Sequence, residues 1–198
     1  MNIIETTPYI IKETARGLER ISIEDEMLTS REIFLTSPVD AASMNSVMKQ
    51  LMYLNKSSPD EEITLYINSP GGEVTSGLAV YDYIRMMKAP VRTVCTGLAA
   101  SMGAILFLAG DKREMLPHTQ IMIHDPSFGN ASISGAKPAQ IAEQLTSLKK
   151  TQKTLCDIIA EVTGKSLKAV QSKTRKDSFF GAEEALDYGL ATKIIDTL

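Results

Sequence analysis

One stretch constrains the fold of this chain more than any other: VRTVCTGLAASMGAILFLAGDKREMLPHTQIMIHDP, from Val91 to Pro126. The β-branched run Val91 to Val94 is a buried-strand pattern, and an apolar segment follows Gly103. Between them Gly97, Ala99, Ala100, Gly103 and Ala104 surround a single serine, Ser101. Residues this small let backbone approach closely, so the run predicts a strand that turns sharply at Ser101 into an apolar helix. A hydroxyl at that turn stands beside the unpaired N–H groups of the helix's first turn, which point at any carbonyl the hydroxyl attacks.

A serine hydroxyl is a weak nucleophile at neutral pH and needs a base within hydrogen-bond reach, itself oriented by an acceptor. The sequence offers two histidines. His118 follows Pro117 in what reads as an exposed, hairpin-like turn, whereas His124 ends the apolar strand QIMI and emerges at an edge where catalytic side chains are set. Taken singly, Ser101 also fits a helix N-cap and a strand-end histidine also fits a structural role. Together with the small-residue turn they read as nucleophile and base. Spacing does not choose the acceptor, because Asp111, Asp125, Asp157, Asp177 and Asp187 all compete. A second Gly-rich turn, INSPGGEVTSG from Ile67 to Gly77, follows the strand pattern Ile63 to Ile67 and could aim a backbone N–H of Gly71 or Gly72 at the first turn.

The remaining pattern alternates strand and helix. Ile33 to Ser37 reads as a strand; Asp40 caps a helix to about Leu54 with Met44, Val47, Met48, Leu51 and Leu54 on one face; and Val74 to Met87 reads as a helix closed by Ala89-Pro90. Repeated strand–helix–strand units predict an α/β fold with parallel sheet flanked by helices. After the irregular stretch DPSFGNASISGAKP, a helical pattern runs from Pro138 to Val162. Such a helix is roughly 37 Å long, too long to pack internally throughout, so its first half should project and present an apolar stripe to a partner. Gly164 stops it, Ser166 caps a shorter helix to about Lys173, a last helix ends before Gly189, and Ile194-Ile195 forms a final strand. Residues 1–30 show no sustained period and read as a mobile arm. At 198 residues the chain suits a single domain over 1–198, without disulfide or metal support.

Composition excludes several classes. With 21 Lys and Arg against 24 Asp and Glu, and no basic–aromatic patch, nucleic acid is not an expected partner. The N-terminus lacks a signal pattern and Leu98 to Ala109 is too short for a bilayer, which predicts a soluble, cytoplasmic protein without membrane association. Cys95 and Cys156 have no metal-ligand spacing and read as reduced, buried thiols, and no cofactor is expected. No phosphate loop of the form GxxxxGK followed by Ser or Thr occurs, so any energy-using step belongs to another protein.

The segments SPGG, GLAASMG, MIHDP and RKDSFFGAEEALDYGL, in this order, resemble the ClpP family, the self-compartmentalising serine peptidase subunit of the Clp protease. The resemblance runs from about Glu13 to Asp196, and GLAASMG with a downstream MIH is its specific part. It implies the ClpP/crotonase-like spiral of β-β-α units, with the long helix in 125–163 as a projecting handle that interlocks two heptameric rings. It implies Ser101 as nucleophile, His124 as base, Asp177 as orienting acid, and the N–H groups of Gly72 and Met102 as oxyanion donors. It further implies a serine endopeptidase acting on unfolded polypeptides delivered by a separate AAA+ Clp unfoldase, with 1–30 as an axial arm and Tyr66 and Met86 in the unfoldase-docking pocket. The rivals are a crotonase-type acyl-CoA enzyme and a weakly active structural subunit that pairs with a paralogous ring.

Three departures from the family pattern stand out. Asp125 occupies a position where many relatives carry glutamine, beside the expected base, where a carboxylate could compete for the imidazole ring. Arg175 and Lys176 stand where most relatives have an acid and an arginine that pair across the ring–ring contact. The loop Ser127 to Pro138 is longer than in most relatives.

Overall fold

The computed structural model describes residues 8–128 and 135–197. The first seven residues of the arm, the middle of the Ser127–Pro138 loop and the last residue lie outside the described residues. The described part of the arm is regular, contrary to its patternless sequence. Strands β1 (Tyr9–Thr14) and β2 (Gly17–Ser22) form an antiparallel hairpin, and α1 (Ile23–Thr29) follows, N-capped by the Ser22 hydroxyl, which accepts from the Asp25 N–H. The hairpin buries little; its cross-strand ladder and the Lys12–Glu26 pair to α1 hold it, which is why no hydrophobic period announces it.

The main body then alternates: β3 (Glu32–Leu35), α2 (Ala41–Ser57), β4 (Ile63–Ser69), α3 (Val74–Met86), β5 (Val91–Ala100) and α4 (Met102–Leu108). Next come β6 (Lys112–Met115), β7 (Gln120–Ile123), α5 (Pro138–Thr163), α6 (Leu167–Thr174), β8 (Ser178–Gly181), α7 (Ala182–Tyr188) and β9 (Lys193–Ile194). The predicted Asp40 cap is present: its carboxylate accepts from the Ser43 N–H at 2.8 Å while the Ser43 hydroxyl accepts from the Asp40 N–H at 3.0 Å. That contact with Ser43 holds the Asp40 carboxyl below its ordinary value.

Strands β3, β4, β5, β6 and β9 run parallel in that order, and the α/β class expected from the sequence is the one observed. The long β5 serves two neighbours. Its first half, Arg92–Cys95, pairs with β6 and its last three residues, Leu98–Ala100, pair with β7. Between these halves the β4–β5 register shifts, and the Asn68 side chain accepts from the Leu98 N–H at 3.1 Å. Because β6 and β7 both run parallel to β5, the turn holding His118 joins two consecutive strands of one direction and is not a hairpin, although His118 is exposed as expected. The KREM segment of β6 escaped the sequence reading because charged residues interrupt it; the buried Glu114 is paired to Arg92 at 2.6 Å.

All seven residues of α4 are buried, so this short helix has no polar face and is held by burial on every side. In α5 the opposite holds: residues 138–147 are all exposed, and burial begins only at Leu155, Cys156 and Ile159. The handle therefore projects over its first half and anchors by its second. Ile141 and Leu145 remain exposed on the projecting part.

Candidate active site

The sheet delivers three side chains to one place. Strand β5 ends at Ala100, opposite Met122 of β7, and the Ser101 N–H continues that ladder by donating to the Met122 carbonyl at 2.8 Å. Ser101 itself adopts φ 54° and ψ −119°, a left-handed conformation rare for a residue with a Cβ. Strain of this kind costs about 1–3 kcal/mol and is concentrated at functional turns, where it exposes a side chain that a relaxed turn would fold back. The hydroxyl makes no capping bond to α4, so the N-cap alternative for the side chain does not describe it.

The Ser101 Oγ lies 2.9 Å from His124 Nε2, and His124 Nδ1 lies 3.1 Å from Asp177 Oδ1. In the tautomer this arrangement requires, the hydroxyl donates to Nε2 and the Nδ1–H donates to the carboxylate. The second contact rests on a strand missed in the sequence. In β8 the residues SFFG pair antiparallel with β7, with Ser178 opposite Ile123, so the residue leaving β7, His124, meets the residue entering β8, Asp177. The competing acids are engaged elsewhere. Asp111 accepts from the Val91 N–H, Asp157 pairs with Lys153, and Asp187 is exposed on α7. Asp125 makes no hydrogen bond to the ring; its Oδ2 accepts from Gln152 Nε2 at 2.7 Å.

The Gly-rich turn closes the site from the other side. Val39 bridges Gly72 in parallel, with the Val39 N–H donating to the Gly71 carbonyl at 2.8 Å and the Glu73 N–H to the Val39 carbonyl at 2.7 Å. That bridge uses the groups flanking Gly72 and leaves the Gly72 N–H out, while the Met102 N–H belongs to the first turn of α4 and has no intrahelical acceptor. Both glycines are required by the close approach. At φ 85°, a Cβ on Gly71 would lie 2.5 Å from the Ala100 oxygen and 2.8 Å from the Met102 nitrogen; at φ 149°, one on Gly72 would collide with the Val39 carbonyl oxygen. A cleft of about 700 Å³ runs past Gly71, Gly72, Ser101, Met122 and His124.

The other predicted residues fall outside this cleft. Tyr66 stacks on Phe34 with ring centroids 4.9 Å apart and donates its hydroxyl to Glu32 at 2.9 Å; burial pushes that phenol up. It clusters with Val94, Ile195 and Leu116, whereas Met86 stands 77% exposed at the end of α3. Arg175 and Lys176 follow α6 directly before Asp177 and are exposed, with no ion pair among the described residues. Cys95 and Cys156 are free and buried, and burial pushes both thiols up. Among the described residues no cluster of His, Cys, Asp or Glu could hold a metal ion, and no helix is long and apolar enough to cross a membrane.

Residues 15–198 match the family model described as Clp protease. The chain is 41% identical over 198 residues to an ATP-dependent Clp protease proteolytic subunit of Deinococcus radiodurans, covering 99% of this chain and 95% of that one. It is 42% identical over 192 residues to an ATP-dependent Clp protease proteolytic subunit 2 of Chlamydia trachomatis serovar D, covering 96% of this chain and 93% of the relative. A match to nearly the whole chain, with identity above 40% along its length, leaves one conclusion: the chain belongs to the Clp protease family, whose members are serine peptidases.

Proposed function

We propose that this chain is the peptidase subunit of a ring-shaped, self-compartmentalised protease that hydrolyses unfolded polypeptides fed to it by a separate AAA+ unfoldase. The observation that carries the reading is the continuous contact from Ser101 through His124 to Asp177, beside two backbone N–H groups free to receive an oxyanion. Ser101 Oγ attacks the scissile carbonyl as His124 Nε2 takes its proton. The Gly72 and Met102 N–H groups hold the tetrahedral oxyanion, and His124 returns the proton to the leaving amine. Water then enters, activated by the same base, and releases the acyl group. Asp177 fixes the imidazole tautomer and stabilises the imidazolium.

The relatives are named ATP-dependent Clp protease proteolytic subunits, yet this sequence has no phosphate loop, which supports an ATPase partner. Tyr66 and Met86 are the proposed docking residues on this chain. Short peptides are expected to be cut without nucleotide, whereas a tightly folded protein should resist until an unfoldase and ATP are added. Gel and fluorogenic-peptide assays of the purified chain check this, and efficient degradation of a folded protein by the chain alone would reject it.

A second reading of the assembly has its own observation. In a two-fold ring–ring contact each patch faces its own copy, so exposed Arg175 and Lys176 would meet Arg175 and Lys176. Each such pair is a small effect, but repetition around a heptamer multiplies it. This subunit alone should therefore form mainly a single ring or a poorly active double ring, and gain activity when stacked on a paralogous ring that carries acids at that contact. Native mass spectrometry at moderate salt decides the matter: a stable, fully active fourteen-subunit particle of this chain alone would end the idea.

A further inference from the structure

Two chain segments make the contact between His124 and Asp177, and little in the Asp177 side chain fixes its own place. That side chain is 65% exposed, and among the described residues its one hydrogen bond is the one to His124. Its position is therefore inherited from the backbone on either side. After it, Ser178 opens β8 opposite Ile123. Before it the ladder is broken: continued in register, Asp125 would face Lys176, but the Asp125 N–H donates to the Thr174 carbonyl at 2.6 Å, so Arg175 and Lys176 are looped out. The Ser178 hydroxyl closes the loop by donating to the Lys173 carbonyl at 2.7 Å.

Helix α5 braces both segments within one turn. Gln152 Nε2 donates to Asp125 Oδ2 at 2.7 Å, on the His124 side. Cys156, four residues on, sets its Sγ 3.7 Å from the Oγ1 of the buried Thr174, on the Asp177 side. The Asp125 Oδ1 is buried and has no hydrogen-bond partner, so among the described residues Gln152 is the only side chain that donates to this carboxylate. Stripping a buried carboxylate of its single donor costs more than the bond itself, and the group moves outward to find water. Asp125 directly follows His124, so such a movement carries the base away from the acid.

We propose that Asp125 and Gln152 are positioning residues for catalysis: their bond, with the Asp125–Thr174 backbone bond behind it, ties the anchored half of α5 to the His124–Asp177 pair and holds that pair within hydrogen-bond reach. The inference rests on the peptidase reading above and deepens it. Neither residue takes part in proton transfer. Both act through the placement of the base, where an error of about 1 Å lowers the rate about 10²-fold.

The test reverses the bond. In Gln152→Glu two carboxylates face each other; in the double variant Asp125→Asn, Gln152→Glu the asparagine amide donates to the glutamate, and the bond returns with donor and acceptor exchanged. The readout is the rate at which a fluorophosphonate without an amino-acid side chain labels Ser101 in the assembled protein, followed by intact-protein mass spectrometry. That reagent places no residue in the substrate's side-chain subsites, so a change in substrate fit does not register. Gln152→Glu should slow labelling about 10²-fold, and the double variant should recover to within about three-fold of wild type. Gln152→Met, which removes the donor without adding charge, should slow it about ten-fold and takes the place of the glutamate variant if that one does not assemble. Labelling of these Gln152 variants at the wild-type rate, or a double variant as slow as Gln152→Glu, overturns the inference while leaving the peptidase reading intact. If the wild-type protein is not labelled at Ser101, the peptidase reading falls and this inference with it.

Discussion

Replacing Ser101 with alanine should lower peptide hydrolysis by about 10⁴ to 10⁶ in kcat, with little change in thermal stability. The hydroxyl contacts the His124 ring and makes no cap to α4, so its removal strips no buried partner of a hydrogen bond. The imidazole left behind is 30% exposed and can be solvated. Alanine keeps the Cβ and so keeps the left-handed strain at φ 54°, whereas Ser101→Gly should be equally inactive but more stable by roughly 1 kcal/mol as that strain is relieved. Fluorogenic-peptide kinetics paired with calorimetry separate the two effects. More than a tenth of wild-type activity in either variant would show that another group is the nucleophile.

The second large effect is expected at Asp177. In Asp177→Asn the amide can donate to His124 Nδ1 and so favours the tautomer with its proton on Nε2, where the Ser101 hydroxyl needs an acceptor. The loss should be about 10⁴ in kcat with KM little changed, since the defect lies in proton transfer and not in binding. The Asp177 side chain is 65% exposed, so its neutralisation should not unfold the protein. Asp187→Asn, on the exposed side of α7, serves as the control and should match wild type. Comparable losses in both variants would show that general acidity of the surface, and not the ring contact, matters.

Much of this site was legible in the sequence. The small-residue turn around Ser101 and the strand-end position of His124 follow from patterns that packing alone imposes, and both residues stand where those patterns put them. Asp177 was not legible by spacing. Its position depends on β8, four residues in which two phenylalanines lead straight into a helix, too short to show an alternating period; only resemblance singled it out. The β1–β2 hairpin was missed because strands held by a ladder and exposed on both faces carry no hydrophobic signature. Asp125 was noticed for its position, but the role first considered for it, competition for the imidazole, gives way to a bond with Gln152, a residue 27 positions away that no local pattern connects to it.

The four residue pairs of β7 and β8 also set a rule for how the gene can change. His124 and Asp177 are 53 positions apart in the chain, yet their juxtaposition follows from the short ladder from Gln120↔Gly181 to Ile123↔Ser178. A one-residue slip of that ladder would turn Asp177 to the other face. Insertions or deletions in the projecting half of α5 or in the loop before it leave the ladder untouched. The exposed half of α5, residues 138–147, is therefore the part of the intervening segment whose length and surface can change without moving His124 against Asp177, whereas its second half is tied into the core through Leu155, Cys156 and Ile159.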